Sequence, residues 1–153
     1  MIRKTVRHCI AQTRISSPVE VGDAYVCHRR FVKSEIQTFV TLTEDSNAIH
    51  ADITFARSHG FQREVVPGFL SGSMLGGIMG SHLPGPGSVI LSQTLSFRLP
   101  VYVNDLVTYE VSVERIFKST GILTLSTKAF VGDTLVIEGR CIGKLKSLAT
   151  VQP

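Results

Sequence analysis

The stretch PGFLSGSMLGGIMGSHLPGPG, residues 67–87, decides how this chain folds, because it combines a helical apolar pattern with many glycines. Its apolar residues predict a helix over residues 69–82, which ends at the Pro/Gly-rich break over residues 83–87. The interior of this helix contains four glycines, Gly72, Gly76, Gly77 and Gly80. Each interior glycine costs about 0.5–1 kcal/mol relative to alanine. We therefore expect these glycines to let a surrounding sheet approach the helix closely.

The residues that follow this helix are typical of β-strands. Over residues 107–114 apolar and polar side chains alternate, so that one face carries Val107, Tyr109, Val111 and Val113. A similar face begins at Leu91 and continues through Gln93, Leu95, Phe97 and Leu99. Two more strands are predicted over residues 122–131 and 135–145, and turn formers occur at 104–105, 119–121 and 132–133. This pattern indicates an antiparallel meander.

The residues that precede the glycine-rich helix predict one strand and two shorter helices. The strand covers residues 24–32, and Ser34 then opens a helix in which Ser34 and Gln37 have the spacing of a capping box. Turn formers at residues 45–47 end this helix, and Asp52 caps a second one through about residue 57. One strand, then helices, then a run of strands indicates an α+β domain whose long helix lies against one sheet face.

Length and composition favour a single folded domain over residues 19–153. A chain of 153 residues can bury one substantial core, and 43% hydrophobic with 18% charged residues differs from the composition of disordered chains. The most apolar stretch, residues 65–83, contains Pro67 and five glycines, whereas a membrane span needs ~20 predominantly apolar residues. We therefore expect no membrane insertion.

The basic charge of the chain is concentrated at its start. Four cations precede the first acidic residue, Glu20, and these are Arg3, Lys4, Arg7 and Arg14. Because the net charge of the whole chain is +4, the remainder is balanced, which argues against a nucleic-acid interface. A basic, acid-free start is typical of a transit peptide, so residues 1–18 are predicted to direct the chain to the mitochondrial matrix. A disordered basic terminus without a targeting role is the alternative.

No metal site and no cofactor are predicted. Cys9, Cys27 and Cys141 are odd in number and widely spaced, which indicates neither a disulfide framework nor a zinc site. Neither Ser71 nor Ser73 lies in a Gly-x-Ser-x-Gly motif, so an esterase nucleophile is not predicted.

The segment DSNAIH, residues 45–50, places an acid and an imidazole close together in the sequence. On one continuous helix the side chains of Asp45 and His50 would lie ~140° apart. The turn formers Ser46 and Asn47 can instead fold His50 back beside Asp45, with Asn47 clamping the loop through an Asx-type bond. A carboxylate beside an imidazole can act as an acid–base couple, because histidine titrates near neutrality. Judged by spacing alone, the two residues can also be surface residues or helix caps.

The same segment resembles the D-x-N-P-[IL]-H signature of the MaoC-like, R-specific enoyl-thioester hydratases and 3-hydroxyacyl-thioester dehydratases. Downstream, VVPGFLSGSMLGGIMGSHLPGPGSVILSQTLSFRLPVYVND, residues 65–105, is similar to the central helix, the L-P-G-x-G loop and the following strand of that family. The resemblance covers roughly residues 20–147 in the order of the elements.

This resemblance implies a hot-dog fold, in which a long central helix is wrapped by an antiparallel β-sheet, and which usually pairs as a homodimer. It also implies binding of the acyl-pantetheine arm of coenzyme A or acyl carrier protein. Asp45 and His50 match the water-handling pair, and Gly68 matches the glycine whose N–H donates to the thioester carbonyl. We also place Asn47 and Ser73 beside the substrate, although a serine on a glycine-rich helix is more often a small packing residue.

The implied reaction is the reversible dehydration of an R-3-hydroxyacyl thioester to the trans-2-enoyl thioester. If residues 1–18 are a transit peptide, the implied setting is mitochondrial type II fatty-acid synthesis. Two positions depart from the family pattern: Pro67 stands where histidine is common, and Ala48 replaces the proline of the signature. Proline offers neither an N–H nor an imidazole, which affects substrate preference more than the chemistry. The alternative functions are a hot-dog acyl thioesterase and a non-catalytic acyl-thioester-binding module.

Overall fold

The computed structural model describes residues 12–145, which form one antiparallel sheet with a long helix on its inner face. In chain order the elements are β1 (Ala24–Arg29), α1 (Lys33–Thr43), a 3-10 turn (Ala48–His50), α2 (Ile53–Ser58), α3 (Gly68–Ser81), β2 (Ser88–Phe97), β3 (Val107–Phe117), β4 (Ile122–Val131) and β5 (Thr134–Leu145). The strand order is β1-β3-β4-β5-β2, and every pairing is antiparallel. The predicted α+β arrangement, with the long helix against one sheet face, is confirmed. No helix within residues 12–145 is both long and apolar enough to cross a membrane.

The core lies between α3 and the inner face of the sheet. The inward face predicted for β3 is buried, since its four residues are at most 2% exposed: Val107, Tyr109, Val111 and Val113. From α3 the side chains of Leu75, Ile78 and Met79 pack against this face. Burial of these apolar side chains is the main contribution to the stability of the domain.

The interior glycines of α3 lie in two different environments. A Cβ atom at Gly72 would lie 2.8 Å from Leu95 Cδ1, so β2 does approach the helix closely there. Gly76 leaves room for an ordinary van der Waals contact, whereas a Cβ atom at Gly77 or Gly80 would meet nothing within 4 Å. The expected close approach is therefore confirmed at Gly72 and wrong at Gly77 and Gly80, which lie on the exposed face of the helix.

The start of α1 differs from the sequence-based prediction. The helix begins at Lys33, so its N-cap is Val32 and not Ser34. Glu35 Oε2 accepts a hydrogen bond from the Val32 N–H at 3.1 Å, which satisfies this end of the helix. Ser34 thus lies inside the first turn. β1 ends at Arg29, three residues earlier than predicted, because the chain leaves the sheet there to enter α1.

The segment before β1 is attached to the sheet. The N–H of Arg14 donates to the Ala24 carbonyl at 2.7 Å, and the Ala24 N–H donates back to Arg14 at 2.7 Å. The buried carboxylate of Asp23 accepts hydrogen bonds from the Ser16 N–H, the Ser16 hydroxyl and the Glu20 N–H. Residues 1–11 of the predicted leader lie outside the described residues, and its boundary at residue 18 stays a prediction.

Candidate active site

The helix that precedes the acid–imidazole pair, Asp45 and His50, ends in a sharp change of chain direction. α1 ends at Thr43, and Glu44 adopts a left-handed backbone conformation with φ of 57°. The Asp45 N–H then donates to the Val40 carbonyl at 3.0 Å, which satisfies a carbonyl of the last turn. Asp45 Oδ1 accepts from the Asn47 N–H at 3.1 Å. The carboxylate is therefore held against its own loop.

The 3-10 turn Ala48–His50 presents the imidazole to this carboxylate. Asn47 Oδ1 accepts from the Ile49 N–H at 3.3 Å, which is the Asx-type bond expected from the sequence. His50 Nε2 lies 3.4 Å from Asp45 Oδ2. The side chain of His50 is 10% exposed and that of Asp45 is 37% exposed, so the imidazole is enclosed while the carboxylate is open to water or a ligand.

The tautomer of His50 follows from its second contact. His50 Nδ1 lies 2.7 Å from the backbone carbonyl oxygen of Val65. Because a carbonyl oxygen only accepts hydrogen bonds, Nδ1 carries a proton, and Nε2 of the neutral imidazole is unprotonated. Nε2 and the Asp45 carboxylate are then two acceptors that face each other. A single water molecule beside them can donate one hydrogen bond to each acceptor.

The N-terminus of α3 faces the same imidazole. A cavity of about 320 Å³ is lined by His50, Gly68 and Ser71, together with apolar residues and Arg98. A neighbouring cavity of about 380 Å³ is lined by Asp45, Asn47 and His50, so His50 borders both. Gly68 is the first residue of α3, where N–H groups have no acceptor within the helix and the helix dipole is positive. The cavity thus contains a donor suited to an oxygen anion.

Ser73 lies away from the acid–imidazole pair. It is exposed, and its hydroxyl donates to the Leu70 carbonyl of its own helix at 2.7 Å. It borders a separate groove between α3 and β2, whose other residues are Phe69, Gly72, Gly76, Met79, Ile90, Gln93, Leu95 and Phe97. The structure therefore brings Asp45, Asn47, His50 and Gly68 together and leaves Ser73 outside.

Sequence-based reasoning missed two contacts of the site. The backbone carbonyl of Val65 orients His50, and a backbone group leaves no residue-type signal in the sequence. Ser71 lines the cavity, and its Oγ lies 2.7 Å from the Oη of Tyr109. Ser71 stands four residues before the buried Leu75, and this helical spacing could have identified it as an inward-facing hydroxyl.

Comparisons with known sequences identify the family to which this chain is similar. Residues 7–128 match the family model described as MaoC like domain. The chain is 41% identical over 128 residues to an "(R)-specific enoyl-CoA hydratase" of Aeromonas caviae, an alignment that covers 83% of this chain and 96% of the relative. It is 36% identical over 141 residues to "3-hydroxyacyl-[acyl-carrier-protein] dehydratase FERN, mitochondrial" of Solanum lycopersicum, covering 90% and 84% of the two chains.

Solved structures share the hot-dog fold of this chain. The (R)-hydratase from A. caviae, described as involved in PHA biosynthesis, superposes with a TM-score of 0.82 at 40% identity and covers 86% of this chain and 100% of its own. The R-hydratase PhaJ1 from Pseudomonas aeruginosa superposes with a TM-score of 0.79 at 26% identity, covering 90% and 92%. Because the family model and the relatives each match most of the chain, this protein belongs to the MaoC-like domain family.

Proposed function

We propose that this protein catalyses the reversible dehydration of R-3-hydroxyacyl thioesters to trans-2-enoyl thioesters, which makes it a hydro-lyase. The proposal is carried by the Asp45–His50 pair, 3.4 Å apart, beside a cavity that also contains the N-terminus of α3. The names of the relatives support the same chemistry, since one is called an enoyl-CoA hydratase and another a 3-hydroxyacyl dehydratase.

The thioester carbonyl binds at the start of α3 in this mechanism. The N–H of Gly68 donates to the carbonyl oxygen, and the positive end of the helix dipole favours the negative charge that develops there. Stabilising the enolate oxygen makes a proton on the neighbouring α-carbon removable. The helix tip therefore activates the substrate without supplying a proton of its own.

Asp45 and His50 carry the two proton transfers. One base of the pair takes the α-proton, and the pair delivers a proton to the 3-hydroxyl group, which leaves as water while the carbon–carbon double bond forms. Hydration is the reverse sequence. The two transfers are assigned to the pair and are not divided between its members. The bond from Nδ1 to Val65 keeps Nε2 facing the carboxylate throughout.

Hydration of crotonyl-coenzyme A, followed by the loss of enoyl absorbance, tests the proposal. Asp45→Asn preserves the shape of the side chain and removes its charge, so turnover should fall on the order of 10²–10⁴-fold. Asp52→Asn is the matched control, because Asp52 caps α2 and asparagine caps helices equally well. Hydration by Asp45→Asn at the wild-type rate would refute the assignment.

Measuring free thiol beside the enoyl absorbance separates the two alternative functions from the hydratase. An acyl thioesterase would release free thiol from the substrate, whereas a hydratase leaves the thioester intact. A non-catalytic binding module would bind the acyl thioester and change neither signal. The acid–base pair argues against the binding module, because binding alone requires no proton-transfer couple.

We propose that the enzyme acts in mitochondrial type II fatty-acid synthesis in the matrix, on acyl carrier protein thioesters, with coenzyme A thioesters as surrogates. The basic start of the chain and two plant relatives whose names include "mitochondrial" support this setting. A fluorescent fusion of the full chain should localise to mitochondria, and a fusion without residues 1–11 should not. A higher kcat/KM for crotonyl-coenzyme A than for the carrier protein thioester would contradict the carrier preference.

We also propose that the protein is a homodimer in which β2 is covered. Within residues 12–145, β2 pairs with β5 on one side and has no partner strand on the other. Four of its apolar side chains are between 41% and 54% exposed, namely Val89, Ile90, Leu91 and Phe97. An apolar edge strand of this kind pairs readily with another chain. Light scattering should give about twice the monomer mass of 16.7 kDa.

A further inference from the structure

Ser71 and Tyr109 form a hydroxyl pair within the apolar core, beside the site but without a part in its proton transfers. Ser71 Oγ lies 2.7 Å from Tyr109 Oη. The two residues are 1% and 0% exposed, so the hydrogen bond is shielded from water. Ser71 belongs to the first turn of α3 and Tyr109 belongs to β3. The bond therefore links the helix that carries Gly68 to the central part of the sheet.

Stability alone does not require this pair. Burying a hydroxyl group costs free energy that its hydrogen bond returns only in part. Replacing both partners by apolar groups of similar shape is therefore nearly neutral or even stabilising in general. Besides the polar Thr127, the core around the pair contains apolar residues such as Leu75 on α3 and Val107 and Val111 on β3. A core made only of such residues would pack α3 equally well.

The Ser71–Tyr109 pair lies next to the N-terminus of α3. The Ser71 N–H donates to the Pro67 carbonyl at 3.0 Å and so closes the first turn of α3, which begins at Gly68. Side chains on a helix point toward its N-terminus, so the Ser71 hydroxyl is held alongside this turn. Gly68 and Ser71 line the same cavity as His50.

The hydrogen bond does not depend on pH in the range where the site acts. Burial raises the pKa of Tyr109 to about 12, so its phenol stays protonated near neutrality. Serine does not ionise in this range either. The link between α3 and β3 is therefore constant near neutral pH.

We propose that the Ser71–Tyr109 hydrogen bond is a positioning device that anchors the first turn of α3 to β3 and thereby holds the Gly68 N–H in place for the thioester oxygen. This inference rests on the proposed function of the site. Neither hydroxyl touches the reacting atoms. A misplacement of about 1 Å in catalytic geometry can cost on the order of 10²-fold in rate, so a loosened helix tip lowers turnover more than binding.

The double variant Ser71→Ala/Tyr109→Phe tests this role, because it removes both hydroxyls and leaves neither partner buried without a bond. Its unfolding midpoint should stay within about 3 °C of wild type, since the exchange is nearly neutral for stability. Its kcat for crotonyl-coenzyme A should fall at least about tenfold while KM changes less than about twofold. Thr108→Val is the matched control, because it removes the hydroxyl of the neighbouring β3 residue, which bonds His28 on the other sheet face.

Amide hydrogen exchange provides a readout that is independent of catalysis. The double variant should exchange about tenfold faster at positions 71 and 72, with unchanged exchange at Ile78 and Met79. If wild type hydrates the substrate, Asp45→Asn does not, and the double variant keeps the wild-type kcat, the positioning role is overturned while the proposed function stands. If wild type shows no hydration, the proposed function fails, and unchanged exchange at position 71 would then overturn the anchoring as well.

Discussion

Replacing Asp23 by alanine should detach the segment before β1 and destabilise the domain by about 2–4 kcal/mol. The Asp23 carboxylate accepts three hydrogen bonds of 2.8–2.9 Å, two of them from the backbone of Ser16 and Glu20. A hydrogen bond to a charged group contributes about 1.5–3 kcal/mol, so three bonds set an upper limit of about 5–9 kcal/mol. The expected loss is smaller, because burying the carboxylate has its own desolvation cost and the freed donors near the surface can bind water.

The effect of this substitution should depend on pH with a definite sign. Burial raises the pKa of Asp23, but the hydrogen bonds from Glu20 and Ser16 outweigh it, so the net pKa lies below its ordinary value of 3.8. A lowered folded-state pKa stabilises the protein above the unfolded-state value, and this stabilisation is lost as the pH falls below 3.8 through the folded-state pKa. The difference in the free energy of unfolding between wild type and Asp23→Ala should therefore be largest at pH 7 and become smaller below pH 3.8.

Urea unfolding of wild type and Asp23→Ala at a series of pH values measures both effects. Glu20→Gln is the matched control, because it keeps the Glu20 backbone donor and removes only an exposed carboxylate. This control should stay within about 0.5 kcal/mol of wild type. A free energy of unfolding for Asp23→Ala equal to that of wild type at pH 7, or a difference that does not change below pH 3.8, would refute the reasoning.

Four further predictions concern the sheet, the central helix, the site and the assembly. Gly139→Ala should cost more than about 3 kcal/mol in thermal unfolding, because its Cβ would lie 1.9 Å from the Thr94 carbonyl oxygen and push β2 from β5. Gly77→Ala should instead stabilise by about 0.5–1 kcal/mol, since the added Cβ would meet no atom within 4 Å outside the backbone of its own helix. His50→Ala should lower crotonyl-coenzyme A hydration by about 10²–10⁴-fold at unchanged KM. Leu91→Glu should give a monomer by light scattering, and a persistent dimer would contradict the role of the β2 edge.

Local patterns in the sequence were sufficient for most of the fold. The alternation along β3 predicted its buried face, because a strand side chain can reach the core only at every second position. The cap at Asp52 was also predicted, since its carboxylate bonds two N–H groups within the next three residues. These features depend on residues that are close in the chain, and propensities describe such interactions well.

Expectations failed where several local arrangements were equally available. The sequence predicted that Ser34 begins α1, whereas the contact between Glu35 and the Val32 backbone makes Val32, a less typical cap residue, the N-cap. The glycines of α3 looked alike in the sequence. Only packing shows that β2 approaches Gly72 and not Gly77, because the sheet covers one side of the helix.

By itself, the sequence placed an acid and an imidazole on either side of a turn, and its resemblance to the family placed Gly68 at the start of the central helix. Tertiary structure alone decided that Val65, fifteen residues from His50 in the chain, sets the tautomer of the imidazole, and that Tyr109 holds Ser71 from another element. The physical reason is that a hydrogen bond between distant residues forms only after packing has brought their atoms within about 3 Å. Residue type and spacing carry no direct record of that approach.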